Sequence, residues 1–81
     1  MRLPRDLGGR ELAGLLGRHY GYEVVRQTGS HLRLARMADG EHRVTIPAGA
    51  PLRVGTLAAI LAEVAAHLGI PRAQLDQELF G

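Results

Sequence analysis

The sequence predicts an α+β fold in the order α-β-β-β-α, closed by an extra short helix at the C-terminus. Two segments, residues 10–20 and 57–68, repeat apolar residues at the spacing of a helix. The stretch between them changes to a period of two, and turn sequences divide it into three strands. Strands joined by short turns are expected to form a three-stranded antiparallel sheet with helices on one face and solvent on the other. The 81 residues are expected to form one domain, 1–81.

The first predicted helix covers residues 10–20, and Asp6 is the candidate for its N-terminal cap. Its apolar stripe consists of Leu12, Leu15, Leu16 and Tyr20. Gly21 follows the stripe at the position where a glycine commonly ends a helix. An amphipathic helix with one core-facing side is therefore predicted ahead of the sheet.

The middle of the chain predicts strands at residues 22–27, 31–36 and 42–46. Gly29-Ser30 and Asp39-Gly40 are turn sequences between them, and Pro47 is expected to end the third strand. Alternation separates the side chains of the second and third strands into two sets. The set expected to face the core is Leu32, Leu34, Val44 and Ile46. The set expected on the open face is His31, Arg33, Ala35, Arg43 and Thr45, and a slip of one residue would invert both sets.

The C-terminal third of the chain predicts two helices. Thr56 is the candidate cap of the first of them, and Gly69 is expected to end it. Its apolar stripe is Leu57, Ile60, Leu61, Val64 and Leu68. Pro71 then opens a short last helix in which Leu75 and Leu79 share one side.

Composition excludes several classes of chemistry. The chain has no cysteine, which excludes disulfides, thiolate metal sites and cysteine nucleophiles. No apolar run is long enough to span a bilayer, and no charged-then-apolar leader opens the chain, so a cytoplasmic location is expected. No two histidines stand at a ligand spacing on one helix, so neither a metal nor another cofactor is expected.

The basic charge is concentrated in the middle of the chain. All ten basic residues are arginine, and the net charge is +2. Residues 24–53 carry five arginines against Asp39 and Glu41, a net +3, whereas residues 54–81 carry Arg72 against three acidic residues, a net −2. A basic sheet surface would attract a polyanion such as a nucleic acid. Genome composition, or the ordinary solvated face of a sheet, is the alternative explanation of these arginines.

One imidazole beside two guanidinium groups is suited to phosphodiester cleavage. A histidine moves a proton near neutral pH, and arginines hold phosphate and stabilise charge that develops in the transition state. The 2′-hydroxyl of RNA is an internal nucleophile, so this chemistry needs no metal. The residues alone leave open that His31 is a solvated surface histidine. The other three are interpreted as structural, because His19 and His67 lie near helix ends and His42 has inward parity.

Residues 21–31, Gly-Tyr-Glu-Val-Val-Arg-Gln-Thr-Gly-Ser-His, resemble the signature of HicA-type mRNA interferase toxins. Residues 44–47 are similar to the third strand of that family, and residues 52–57 with Ile60-Leu61 are similar to the start of its second long helix. Residues 69–71 and the closing helix also have counterparts, and residues 3–7 are similar to one branch of the family. The resemblance covers nearly the whole chain in the same order.

The resemblance implies a fold like the double-stranded-RNA-binding domain, ribosome-independent cleavage of mRNA in a stress response, and a HicB-type antitoxin protein as partner. The catalytic histidine of the family follows Gly-Ser, and this is His31 here, acting as general acid/base. The side chains expected to bind the mRNA substrate are Arg26, Thr28, Ser30, Arg33, Arg43 and Thr45. The chain is thus interpreted as the toxin of a type II toxin-antitoxin system, a metal-independent endoribonuclease.

The loop after the third strand departs from the family pattern. Many relatives carry a histidine or lysine there, whereas this chain reads Ala48-Gly49-Ala50-Pro51. A lower RNA affinity or cleavage rate is the expected consequence. Two alternatives to an active nuclease stay open: a non-catalytic RNA-binding module on the same fold, and a degenerate toxin that only binds its antitoxin.

Overall fold

The computed structural model of the chain describes residues 3–38, 40–49 and 51–81. In chain order, its elements are α1 (Gly9–Tyr20), β1 (Glu23–Thr28), β2 (His31–Arg36), β3 (His42–Pro47), α2 (Val54–Leu68) and α3 (Arg72–Phe80). The strands form an antiparallel sheet in the order β1-β2-β3. This architecture confirms the predicted fold class. The third strand extends one residue further than predicted, because Pro47 pairs with His31 at its end.

The core lies against one face of the sheet. The inward apolar side chains of β2 and β3 are at most 5% exposed, and they pack in one cluster with the stripes of α1 and α2. The side chains at the centre of this cluster are Leu12, Leu16, Leu32, Leu34, Ile46, Leu57, Leu61 and Val64. Each buried aliphatic side chain contributes about 1.5–3 kcal/mol relative to an exposed one. Burial of these residues therefore fixes the register of the sheet and leaves its other face to solvent.

Both predicted N-terminal caps are wrong. Gly8, not Asp6, is the N-cap of α1, and its backbone N–H donates to the Glu11 carboxylate at 3.0 Å. Helix α2 begins three residues earlier than the Thr56 prediction requires, with Arg53 as an N-cap that makes no side-chain capping bond. The predicted C-terminal glycines are confirmed, because Gly21 and Gly69 have φ values of 77° and 70° and close the ends of α1 and α2.

Helix α3 is joined to the other two helices by polar contacts. The Arg72 guanidinium contacts Asp76 at 2.9 Å and donates to the carbonyl of Ala58 in α2 at 3.1 Å. The Tyr20 hydroxyl at the end of α1 donates to the Glu78 carboxylate. Burial, and then this carboxylate, raise the pKa of Tyr20, while the same hydrogen bond lowers the pKa of Glu78. In the described part of the chain no single helix is long and apolar enough to cross a membrane; α2 and α3 qualify only together, and they are bent by 110°.

Three polar side chains meet at the end of the sheet beneath α2. His42 has the inward parity predicted for it, and its Nδ1 lies 2.7 Å from the Tyr22 hydroxyl and its Nε2 3.3 Å from Glu63. Burial raises the pKa of the Tyr22 hydroxyl. His67 stacks on His42 with ring centres 4.3 Å apart. His67 lies in the last turn of α2, as predicted, and it adds a ring contact with the sheet.

Gly9 and Gly14 occupy contrasting positions on α1, and they predict opposite effects of an added methyl group. A Cβ at Gly9 would lie 1.7 Å from the carbonyl oxygen of Pro47, whereas a Cβ at Gly14 would meet nothing within 4 Å. We expect Gly9→Ala to lower the free energy of unfolding by about 3 kcal/mol, because backbone must move. Gly14→Ala should raise it by about 0.5–1 kcal/mol, since alanine favours a helix interior. Urea unfolding of both variants checks this, and equal stabilities would contradict the close approach of α1 to β3.

Candidate nucleic-acid interface on the open sheet face

The open face is organised in three rows of paired residues across the sheet. The row nearest the turn between β1 and β2 is Thr28–His31–Pro47, the second is Arg26–Arg33–Thr45, and the third is Glu23–Ala35–Arg43. Neighbours within a row have Cβ atoms about 5 Å apart, and successive rows are about 7 Å apart along a strand. We use the name open face for these nine residues. His31 therefore stands in the middle of the first row, directly beside the row that carries two arginines.

A bulge in β1 decides which of its side chains reach the open face. Val24 pairs with Leu34 and Arg26 pairs with Arg33, so Val25 is an extra residue in the ladder. Tyr22 is buried on the helix side, and strict alternation from it would put Arg26 and Thr28 on that side too. The extra residue reverses the parity. It brings Arg26 opposite Arg33, and Thr28 opposite His31.

The backbone on both sides of His31 is firmly held although its side chain is exposed. Gly29 adopts a φ of 58° in the turn that precedes the strand. The carbonyl of Ser30 accepts a hydrogen bond of 2.6 Å from the N–H of Ala48, which ties this turn to the end of β3. Pro47, opposite His31, is in turn packed against α1 at Gly9. The imidazole is thus presented to solvent from a rigid support.

The two arginines predicted from strand alternation stand at different distances from His31. Arg33 is one row away, flanked by Arg26 and Thr45. Arg43 is two rows away, about 13 Å along the strands, and its guanidinium pairs with the exposed carboxylate of Glu41. An exposed pair of this kind is weak and exchanges readily for another anion. The cluster around His31 is therefore formed by Arg26, Arg33, Thr28 and Thr45, with Arg43 at the far end of the face.

Other members of the basic middle segment have different positions. Arg36 lies on the helix side, where its guanidinium donates to the carbonyls of Tyr20 at 2.7 Å and Ala38 at 2.9 Å. Ser30 is exposed in the turn, adjacent to the first row. Ala35 has the predicted outward parity but is only 5% exposed, since it lies between Glu23 and Arg43. Arg26, Arg33 and Arg43 against Glu23 thus carry the charge of the open face.

A shallow depression of about 310 Å³ adjoins the first row at Pro47. It is lined by Pro47, Gly49, Pro51, Leu52, Arg53 and Thr56. The N–H of Leu52 donates to the carbonyl of Leu7 at 2.8 Å, which anchors the loop ahead of α2. Arg53, which no sequence motif singles out, is exposed and lines this depression. Among the described residues, no three His, Asp or Glu side chains are placed to hold a metal ion together.

Comparison with known proteins identifies the family. The family model described as "HicA toxin of bacterial toxin-antitoxin" matches residues 9–66, which include α1, the three strands and most of α2. All three rows of the open face lie inside the matched part, and α3 lies outside it. No curated protein and no solved structure matches the chain. The match covers well over half of the sequence and confirms the resemblance in residues 21–31, and the chain therefore belongs to the HicA toxin family of bacterial toxin-antitoxin systems.

Proposed function

We propose that this toxin is an endoribonuclease that cleaves mRNA on the open face, with His31 as general acid/base. The observation that carries the proposal is the exposed imidazole of His31 on the central strand, one row from the Arg26–Arg33 pair. The other three histidines lie elsewhere, at the end of α1 or on the helix side of the sheet. His31 is therefore the imidazole that an RNA backbone on this face would meet.

The cleavage step uses the 2′-hydroxyl of the RNA as nucleophile. Its oxygen bonds to the adjacent phosphorus, and the bond from phosphorus to the 5′-oxygen of the next nucleotide breaks. His31 takes the proton from the 2′-hydroxyl or supplies one to the departing oxygen, and water performs the other transfer. Negative charge grows on the phosphoryl oxygens during this step. The guanidinium of Arg33, one row away, is placed to stabilise it.

The RNA is held through its backbone rather than by stacked bases. Tyr22 is buried, and Tyr20 and Phe80 are partly buried against the core, so these aromatic rings offer no stacking platform on the open face. The planar guanidinium groups of Arg26, Arg33 and Arg43 suit bidentate contacts with phosphates. The hydroxyls of Thr28, Ser30 and Thr45 suit contacts with phosphate or ribose oxygens. Because the adjoining loop has no charge, these sheet residues supply most of the attraction.

We expect His31→Ala to lower the RNA cleavage rate by about 10²-fold or more, because general acid/base catalysis contributes on that scale. Its unfolding free energy should stay within about 0.5 kcal/mol of the parent, since the side chain is exposed. His19→Ala, an exposed histidine at the end of α1, is the matched control and should cleave like the parent. Purified proteins are compared on a labelled mRNA, and growth is followed on induction. Cleavage by His31→Ala at the parent rate would favour the non-catalytic alternatives.

We expect RNA cleavage to be unaffected by a chelator. The proposed step uses only the 2′-hydroxyl, His31 and the arginines of the open face, so it has no metal-dependent stage. The initial cleavage rate is measured in EDTA and then after addition of Mg²⁺ or Mn²⁺. A rate that is lost in EDTA and restored by either ion contradicts the metal-independent mechanism.

We expect the antitoxin and RNA to compete for the open face. Arg33→Glu should weaken binding of both by about tenfold or more, and Arg43→Glu by less, because Arg43 is two rows from His31. Arg18→Glu, exposed in the last turn of α1, makes the same charge change away from the face and serves as control.

The competition itself is measured with His31→Ala toxin, a short labelled RNA and increasing amounts of the HicB-type antitoxin. Direct competition predicts that RNA is released in proportion to the antitoxin bound. A ternary complex in which the RNA affinity is undiminished rules out occlusion of the open face.

A further inference from the structure

Strand β1 is an exposed edge of the sheet. All six of its residues are exposed, and two of them are valines, Val24 and Val25, with exposed fractions of 50% and 53%. Proteins normally cover a sheet edge or place charges along it, because its unpaired N–H and C=O groups accept another strand. Exposed β-branched side chains on such an edge are suited to pairing with a further strand.

An apolar groove runs beside this edge on the helix side. It has a volume of about 360 Å³ and lies between β1 and α1, where Ala13, Gly14 and Gly17 face Val24, with Arg10 at one end. Gly14 weakens the helix interior by about 0.5–1 kcal/mol relative to alanine. Among the described residues nothing requires this glycine, since a Cβ there would meet no atom within 4 Å. The small residues of α1 therefore leave space that the described part of the chain does not fill.

We propose that β1 receives an extended segment of a partner protein as a fourth strand, in which apolar and acidic side chains alternate. Side chains on successive residues of such a strand point to opposite faces of the sheet. One set would enter the groove beside Val24 and Gly14. The other set would lie next to Arg26 at the edge of the open face, with Arg33 in the same row. Apolar side chains fit the groove, and carboxylates fit the edge of the open face beside Arg26.

Charge argues for an acidic partner rather than a second copy of this chain. A second copy would add its own Arg10 and Arg26 to the same edge, and the Glu23 of each copy would offset only part of that positive charge. RNA does not fit the groove, because a polyanion gains nothing from its apolar walls. The bulge at Val25 adds selectivity, since a flat strand cannot pair evenly along a bulged edge.

The proposal rests on the presence of a protein partner, which membership of a toxin-antitoxin family implies, and it does not depend on RNA cleavage. A strand on β1 would place carboxylates against Arg26, in the row next to His31. It would therefore neutralise part of the surface proposed to hold RNA while its apolar side chains are anchored in the groove between α1 and β1.

The test uses isotope-labelled toxin and a synthetic peptide of about eight residues, long enough to cover β1, in which Val and Glu alternate. We expect the peptide to shift the backbone amide resonances of β1 and of the groove side of α1. A peptide of alternating Val and Lys should not bind. Gly14→Glu should weaken binding by about tenfold, because it fills the groove and repels carboxylates. Ala59→Glu, exposed on α2, carries the same charge elsewhere and should bind like the parent.

Three results would overturn the proposal. The first is the absence of shifts with the Val-Glu peptide up to millimolar concentration. The second is binding that Gly14→Glu leaves unchanged, with shifts confined to Arg33, Arg43 and Thr45. The third is a concentration-dependent shift of β1 without peptide, which identifies a second copy as the occupant. Cleavage of mRNA is measured on the same preparation, so a toxin that binds the peptide but cleaves nothing contradicts the proposed nuclease and not this interface.

Discussion

Burial of one face of the sheet, and of one face only, is the constraint on which this molecule depends. Both α1 and α2 contribute their apolar stripes to the side of the sheet that carries Leu32 and Leu34. A slip of one residue in β2 would turn His31 and Arg33 into this core, where an unpaired guanidinium costs several kcal/mol. The alternation that builds the core therefore also fixes which polar side chains are exposed together. Stability and the chemistry of the open face have the same origin in the central strand.

The end of the sheet that carries His31 is also where backbone segments come closest. Gly9 at the start of α1 passes so near the Pro47 carbonyl that no side chain fits between them. The hydrogen bonds from Ala48 to Ser30 and from Leu52 to Leu7 add two further links between the segments around this end. These contacts hold the turn before β2 and the loop after β3 in a fixed relation. The backbone position of His31 is thereby fixed, which suits a group that must meet a substrate.

Strands β2 and β3 could be predicted because their apolar and polar residues alternate without interruption. The bounds of β2, the inward set and the glycines that end α1 and α2 are confirmed, and the outward set is confirmed except for Ala35, which is buried. Strand β1 was harder, because Val24 and Val25 are adjacent and alternation cannot say which of them faces the core. The bulge at Val25 leaves Val24 opposite the core residue Leu34, and it brings Arg26 opposite Arg33 on the open face. Alternation alone also does not predict that Arg43 lies two rows from His31.

The remaining errors concern contacts between residues distant in sequence. Asp6 and Thr56 are good capping residues, but the packing of Gly9 on Pro47 and the anchoring of Leu52 to Leu7 decide where the helices begin. The stacking of His67 on His42 joins a helix to a strand, and neither local pattern contains it. The catalytic role of His31 is predicted from its place after Gly-Ser in a segment that resembles a family signature. The composition of the same segment predicts only a turn followed by the start of a strand.

Strand β1 connects the two surfaces proposed for this toxin. Its Arg26 lies in the second row of the open face, and its Val24 lies in the groove against α1, so a single strand contributes to both. A partner strand on this edge would reduce the positive charge next to His31 without touching the imidazole. Because the loop after β3 adds no charge of its own, loss of Arg26 removes a larger share of the attraction for RNA than it would in a more basic site. The proposed RNA binding would therefore depend strongly on Arg26 and Arg33, the arginines nearest to a partner strand on β1.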